Sequence, residues 1–278
     1  MASEHVVFLF DVDNTLIDND HIVADMKRNL ERDIGNEQQQ RYWDYFEELR
    51  TELGYADYLG ALQRYRVNHP RDFGIIAVSY FLMNYHFANR LFPCALDVIE
   101  KYKQYGETAI LSDGDMIFQP LKVERSGLRE AVDEKVMIYI HKEQELDDVK
   151  KRYPADHYVL FDDKVRILDA VKKTWGANVT TVFPRQGHYA ADEKEVAKYL
   201  TPDVTVDRID QLRDYDLARL RAATKGYQRI QARSKSSTSA GALATIVSLS
   251  SSLIAAPSPS ASAAPLTVTA PRATWTHP

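Results

Sequence analysis

Five short apolar runs, set apart by amphipathic stretches, constrain this chain more than any other feature. The first is Val6–Phe10 (VVFLF), and similar runs recur at residues 108–111, 136–140, 158–161 and 180–183. A run apolar at every position suits a strand buried on both faces, as in a parallel sheet. Residues 96–105, 144–153 and 165–175 carry the spacing of amphipathic helices. Strand and helix in alternation predict an α/β fold built on a doubly wound parallel sheet.

One interval breaks the alternation. Between Ile17 and Arg90 no buried-strand pattern occurs, and the helical patterns there are rich in aromatics, among them Tyr42, Trp43, Phe46, Tyr58 and Tyr65. Gly35, Gly54 and the His69-Pro70 pair divide it into separate helices. The expected organisation is an α/β core from residues 1–17 and 91–230, interrupted by an all-helical domain over 18–90. The segments 18–21 and 89–93 are its expected hinges. Its aromatics read as the core of a small helical domain, since helical spacing accounts for most of them.

The last stretch has a different composition. From residue 234 onward the only charged residues are Lys235 and Arg272, in a background of Ser, Ala, Thr and Pro. Residues 231–278 are therefore expected to form a low-complexity, disordered tail. The apolar run at 241–256 is too short and too rich in serine to span a bilayer, so no membrane role is expected. A formal charge of -5 and a pI of about 5.9 argue against a nucleic-acid partner. The single cysteine, Cys94, can form neither an internal disulfide nor a thiolate metal site. The N-terminus lacks the pattern of a secretory signal, so a cytoplasmic enzyme is expected.

Function is written at the strand ends. In an open parallel sheet, ligands bind beyond the carboxyl ends of the strands. The first run is followed by Asp11, Asp13, Asn14 and Thr15, and the second leads into Ser112, Asp113, Gly114 and Asp115. His141 and Lys142 follow the third run, and Asp162 and Asp163 the fourth. Crowded carboxylates repel unless a cation intervenes. Mg²⁺ is the economical cation, being hard, oxygen-seeking and a partner of phosphate. Lys142 then adds a second positive charge for an anionic substrate, which points to metal-assisted phosphoryl transfer. A calcium-loop reading of residues 11–22 fails, because Leu16 stands where the loop glycine belongs and Ile22 where its closing glutamate belongs.

DVDNT at 11–15, LSDGD at 111–115, Lys142 and FDD at 161–163 together resemble the four motifs of the haloacid dehalogenase-like (HAD) superfamily, in order, over about residues 5–215. The insert resembles that superfamily's C1-type helical cap, and the fold implied is a Rossmann-like core. The resemblance implies that Asp11 is a nucleophile forming an aspartyl-phosphate. Asp13 would serve as acid and base. It also implies that Asp11, Asp163 and the backbone carbonyl of Asp13 hold Mg²⁺, with Asp162 steadying a metal-bound water. Ser112 and the amide of Asp113 would bind phosphoryl oxygens, Lys142 would offset charge, and Thr15 would orient the loop.

Asp13 separates two chemistries in this superfamily. Its dehalogenases lack an acid two residues past the nucleophile and do without magnesium, because a halide departs without a proton. The expectation is therefore a Mg²⁺-dependent phosphatase acting on a small phosphorylated metabolite. A phosphomutase, or a scaffold that binds a partner without catalysis, are the alternatives. Lys135 and Lys164 rival Lys142, Asp115 reads as a helix cap, and Arg185 and His188 could reach the rim of the site.

Overall fold

The computed structural model describes residues 4–224, and the expected tail at 231–278 lies outside them. In chain order the elements begin with β1 (Val6–Phe10), followed by α1 (Asn19–Ile34), α2 (Asn36–Leu53), α3 (Tyr58–Asn68) and α4 (Gly74–Met83). Next come α5 (Ala95–Lys103), β2 (Glu107–Asp113), α6 (Phe118–Arg125), α7 (Leu128–Ala131) and β3 (Val136–Tyr139). The chain continues through α8 (Leu146–Arg152), β4 (His157–Phe161), α9 (Val165–Trp175), β5 (Val179–Pro184), α10 (Gly187–Ala191), α11 (Glu193–Val196) and β6 (Val204–Val206).

The six strands form one parallel sheet in the order β3-β2-β1-β4-β5-β6. The fold is the α/β doubly wound parallel sheet expected from the alternation, and the Rossmann-like core that the resemblance implies. β1 is buried at every position, with Phe8 and Phe10 in one apolar cluster and Val7 and Leu9 in another on the opposite face. That two-sided burial is why the strand is continuously apolar. β6 was not anticipated from the sequence: three residues with an exposed Thr205 between Val204 and Val206 are too few to show a pattern.

Helices α1–α4 are the insert. Their buried residues recur at helical spacing: Ile22, Met26 and Leu30 on α1, and Tyr42, Phe46 and Leu49 on α2. Gly35 and Gly54 end α1 and α2 at φ of 86° and 80°, a conformation glycine adopts without strain. The two connections into the insert pair with one another, the returning one within the expected 89–93 and the outgoing one at 16–18, slightly closer to the core than the expected 18–21. Ile17 bridges Leu91, Asp18 N–H donates to Arg90 C=O (2.7 Å), and Phe92 N–H donates to Leu16 C=O (2.9 Å). Residues 19–21 already belong to α1, because Asp18 caps that helix through His21 N–H (3.0 Å) and sets its start there.

Candidate active site

β1 lies where the winding of the sheet reverses, with β2 and β3 on one side and β4, β5 and β6 on the other. Its carboxyl end opens on the crevice such a reversal creates. The chain leaving β1 coils at once, as Thr15, Leu16 and Ile17 N–H groups converge on the carbonyl of Val12 (3.3, 2.9 and 2.9 Å). Asn14 takes the left-handed conformation (φ 58°), which asparagine tolerates better than most residues. Its side-chain oxygen receives the N–H groups of Asn19 and Asp20 (3.0 and 3.2 Å), tying the loop to the first turn of α1. Gln186 braces the loop from the other side, donating to the carbonyls of Asn14 and Thr15 (3.3 and 3.1 Å).

Asp11 is buried at the centre of this arrangement. Lys142, on the turn after β3, places Nζ 2.5 Å from Asp11 Oδ1 and 2.6 Å from Asp162 Oδ2, and donates to the Leu111 carbonyl (3.2 Å). Burial works against the ammonium, but Asp11, Asp162 and Asp113 more than reverse this and raise the Lys142 pKa. The Thr15 hydroxyl donates to Asp11 Oδ2 (3.3 Å) and accepts the N–H of Asp163 (3.0 Å), joining the ends of β1 and β4.

The carboxylates of Asp11, Asp162 and Asp163 each bring an oxygen within 4.8 Å of the others. They differ in what else they touch. Asp162 Oδ1 accepts Lys164 N–H (2.8 Å), and Oδ2 faces Lys142. Both oxygens of Asp163 are buried without a hydrogen-bond partner. Burial, reinforced by Asp162 and Asp11, raises the Asp163 pKa, and burial with Asp11 raises that of Asp162. A buried carboxylate left unpaired is costly, and an all-oxygen donor set beside it fits a hard divalent cation. Asp163 is the carboxylate with both oxygens free to hold one; Lys142 engages Asp11 and Asp162 alike, and Asp11 turns its second oxygen, Oδ2, to the Thr15 hydroxyl.

The second and third strand ends supply the anion side. Ser112 is buried and its Oγ accepts from Gln119 Nε2 (2.9 Å). The Asp113 carboxylate receives the backbone N–H of Lys142 (2.7 Å), so it seats the turn that carries the lysine, a part its position alone did not reveal. Burial raises its pKa. Asp115 caps α6, accepting from Ile117 and Phe118 N–H (2.8 and 2.6 Å).

The rivals sort cleanly. Lys135 pairs with Asp133 (3.6 Å) away from the site. Lys164 stands in the site wall, and despite burial Asp11 and Asp163 hold its pKa up. Arg185 lies off the site, beside Asp18 and Asp207 in a separate depression, because its N–H is committed to β6 through Val206 C=O (2.8 Å). His188 does reach the wall, and its ring and backbone nitrogens both contact Asp20 of α1 (2.7 and 2.8 Å).

Lys122 was missed. It is fully buried on α6, with Nζ 2.5 Å from Asp13 Oδ1 and 3.0 Å from Asn19 Oδ1. The available signal was a lysine four residues after Phe118, on the inward face of a helix. The strand ends and the insert enclose a cavity of about 740 Å³. Asp13, Lys164 and Arg166 line it from the core, and Lys27, Trp43, Arg50 and Tyr58 line it from the insert. Tyr58 and Phe46 thus serve both the insert's packing and the cavity wall.

A family model described as "haloacid dehalogenase-like hydrolase" matches residues 6–154. The crystal structure of a haloacid dehalogenase-like hydrolase from Burkholderia xenovorans LB400 is 55% identical, with TM-score 0.74, covering 78% of this chain and 99% of that one. The magnesium-bound HAD-hydrolase YfnB from Bacillus subtilis shares the fold at 18% identity and TM-score 0.52, covering 76% and 98% of the two chains. So does a 2-haloacid dehalogenase from Pseudomonas syringae pv. Tomato DC3000, at 14% identity and TM-score 0.53, covering 76% and 97%. No curated protein matches the chain.

Proposed function

The chain belongs to the haloacid dehalogenase-like hydrolases, and within that family we propose that it is a Mg²⁺-dependent phosphatase of a small phosphorylated metabolite. The observation that carries this reading is Asp163. A buried carboxylate with two unpartnered oxygens beside Asp11 has a use when a divalent cation sits there, and a metal-free halide displacement would leave it uncompensated. Asp13 supports the same reading, because it lines the cavity two residues beyond Asp11 and an alkoxide leaving group needs an acid.

Asp11 and Asp163, with the backbone carbonyl of Asp13, would hold Mg²⁺. When bound, the ion offsets the repulsion between the Asp11 carboxylate and an incoming phosphoryl group. An Asp11 oxygen attacks phosphorus as the bond to the leaving oxygen breaks, giving an aspartyl-phosphate. Asp13 gives its proton to the departing oxygen. It then takes one from the water that attacks phosphorus, and the bond from phosphorus to Asp11 breaks to release phosphate. Ser112 and the Asp113 amide hold the phosphoryl oxygens, while Lys142 and Lys164 balance their charge. Thr15 keeps Asp11 oriented through its 3.3 Å hydrogen bond. The helical insert screens the cavity from water and restricts it to small esters. Among the described residues no helix is long and apolar enough to cross a membrane, and the proposed setting is the cytoplasm.

The test places two chemistries side by side. Phosphate release from a panel of small phosphomonoesters, and halide release from 2-chloropropionate, are measured with and without Mg²⁺ for wild type and Asp11→Asn. Mg²⁺-dependent phosphate release that Asp11→Asn abolishes is the expected result. Halide release without metal, or phosphate release that survives Asp11→Asn, overturns the reading.

A further inference from the structure

Lys122 has no part in the chemistry just described, yet the fold places it beneath the acid and base. It is one of the largest fully buried side chains of the protein. Its ammonium lies over the ring of Phe118 on the same helix, 5.6 Å from the ring centre. The charge ends 2.5 Å from Asp13 Oδ1 and 3.0 Å from Asn19 Oδ1. Asp13 is only partly buried, with 26% of its side chain exposed, and it faces the cavity. Packing alone does not call for an ammonium here, since a Met or Leu would fill the same space without losing hydration. Asn19 opens α1, and its N–H is bound to Asn14 Oδ1, so Lys122 touches the catalytic loop and the start of the insert together.

We propose that Lys122 is the positioning residue of Asp13: it occupies Oδ1 and so fixes the rotamer that turns Oδ2 toward the leaving group. This rests on the phosphatase reading for its chemistry, though the pairing itself does not. Without Lys122 the carboxyl group is free to rotate about χ1 and χ2, and proton delivery becomes a matter of chance orientation. The penalty falls on esters that need the proton. An alkyl phosphate, whose alkoxide is a poor leaving group, depends on it heavily, whereas p-nitrophenyl phosphate releases a stabilised phenolate and depends on it little.

Two measurements on the full chain test this. In the first, Lys122→Met lowers kcat for a small alkyl phosphate by about 100-fold and for p-nitrophenyl phosphate by less than about 5-fold, with KM for both nearly unchanged. An equal loss on the two esters overturns the proposal, since damage to the fold would not discriminate between leaving groups. In the second, melting temperatures are taken in EDTA for wild type, Lys122→Met, Asp13→Asn and the double variant. Asp13→Asn is expected to lower the melting temperature when Lys122 is present, because it strands a buried charge, and to have little effect in the Lys122→Met background. Equal shifts in both backgrounds overturn the proposal. Should wild type hydrolyse no ester, the phosphatase reading fails by itself, and the melting cycle still decides whether Lys122 holds Asp13. If Lys122→Met does not fold, Lys122→Gln takes its place with the same expected outcomes.

Discussion

Replacing Asp163 by Asn should make the metal-free protein more stable and at the same time blind to magnesium. The side chain is 1% exposed and both of its oxygens lack a hydrogen-bond partner. Leaving a buried polar group unsatisfied costs about 1–3 kcal/mol, and an amide keeps the shape while removing the charge that repels Asp11 and Asp162. For a domain of this size ~1 kcal/mol moves the midpoint by roughly 2–4 °C, so a rise of about 4–8 °C is expected in EDTA for a gain of ~2 kcal/mol. The gain depends on pH. Because the folded-state pKa of Asp163 is raised, the native protein holds the proton longer than the unfolded chain does. Wild-type stability therefore falls as pH climbs above the unfolded carboxyl value, and Asp163→Asn escapes that fall. With Mg²⁺ at about 100 times its dissociation constant, wild type gains roughly 2.7 kcal/mol and the variant gains nothing comparable. Thermal unfolding of both proteins at pH 5 and pH 8, in EDTA and in Mg²⁺, gives all four quantities. A variant less stable than wild type in EDTA, or one still stabilised by Mg²⁺, refutes the assignment of Asp163 to a cation.

Lys142→Met removes the charge that lies 2.5 and 2.6 Å from Asp11 and Asp162, and should cost about 3–5 kcal/mol in EDTA by denaturant titration, together with turnover. His157 is buried and donates or accepts at Thr180 Oγ1 (2.8 Å), and its pKa is lowered to about 3 by burial and by Arg221 and Lys172. The unfolded chain takes up a proton near pH 6.5 that the native state refuses, so stability is intact above that value and lost as pH falls. Between pH 7.5 and pH 5 wild type should lose about 2 kcal/mol more than His157→Gln in urea unfolding. Gly187 has φ 71°, and a Cβ there would stand 2.5 Å from Asn14 Cβ, so Gly187→Ala should cost more than ~1 kcal/mol and disturb the loop that carries Asp11 and Asp13. Its melting temperature and kcat should fall together, and an unchanged kcat would show that this contact does not shape the loop.

The core was legible because a parallel sheet makes each central strand apolar throughout and ends it where polar residues can meet a ligand. Asp11, Ser112, Lys142, Asp162 and Asp163 therefore stood out by position in the chain alone. The different surroundings of Asp162 and Asp163 did not, and only the family resemblance implied separate roles for them, since neighbours on one strand end look alike until the lysines around them are placed. Asp113 showed the same limit: its carboxylate seats Lys142 across two strands, a contact between residues 29 apart. Lys122 and Gln186 were hidden for a different reason. A lysine or glutamine on a helix or loop is ordinarily solvated, and only the tertiary fold buries these two against the Asp11–Thr15 loop. The lining of the cavity by the insert was equally invisible, because helical spacing marks Phe46 and Tyr58 as core and does not say which edge of each ring borders the cavity.

The central claim is that phosphorus passes through Asp11, and trapping tests it most directly. Wild type is mixed with a turned-over ester carrying a labelled phosphoryl group, in Mg²⁺, quenched in acid within one turnover and digested. Label on the peptide that contains Asp11, absent when Mg²⁺ is withheld and absent in Asp11→Asn, is the predicted result. Turnover with no label on that peptide, or label on a different residue, would contradict the account.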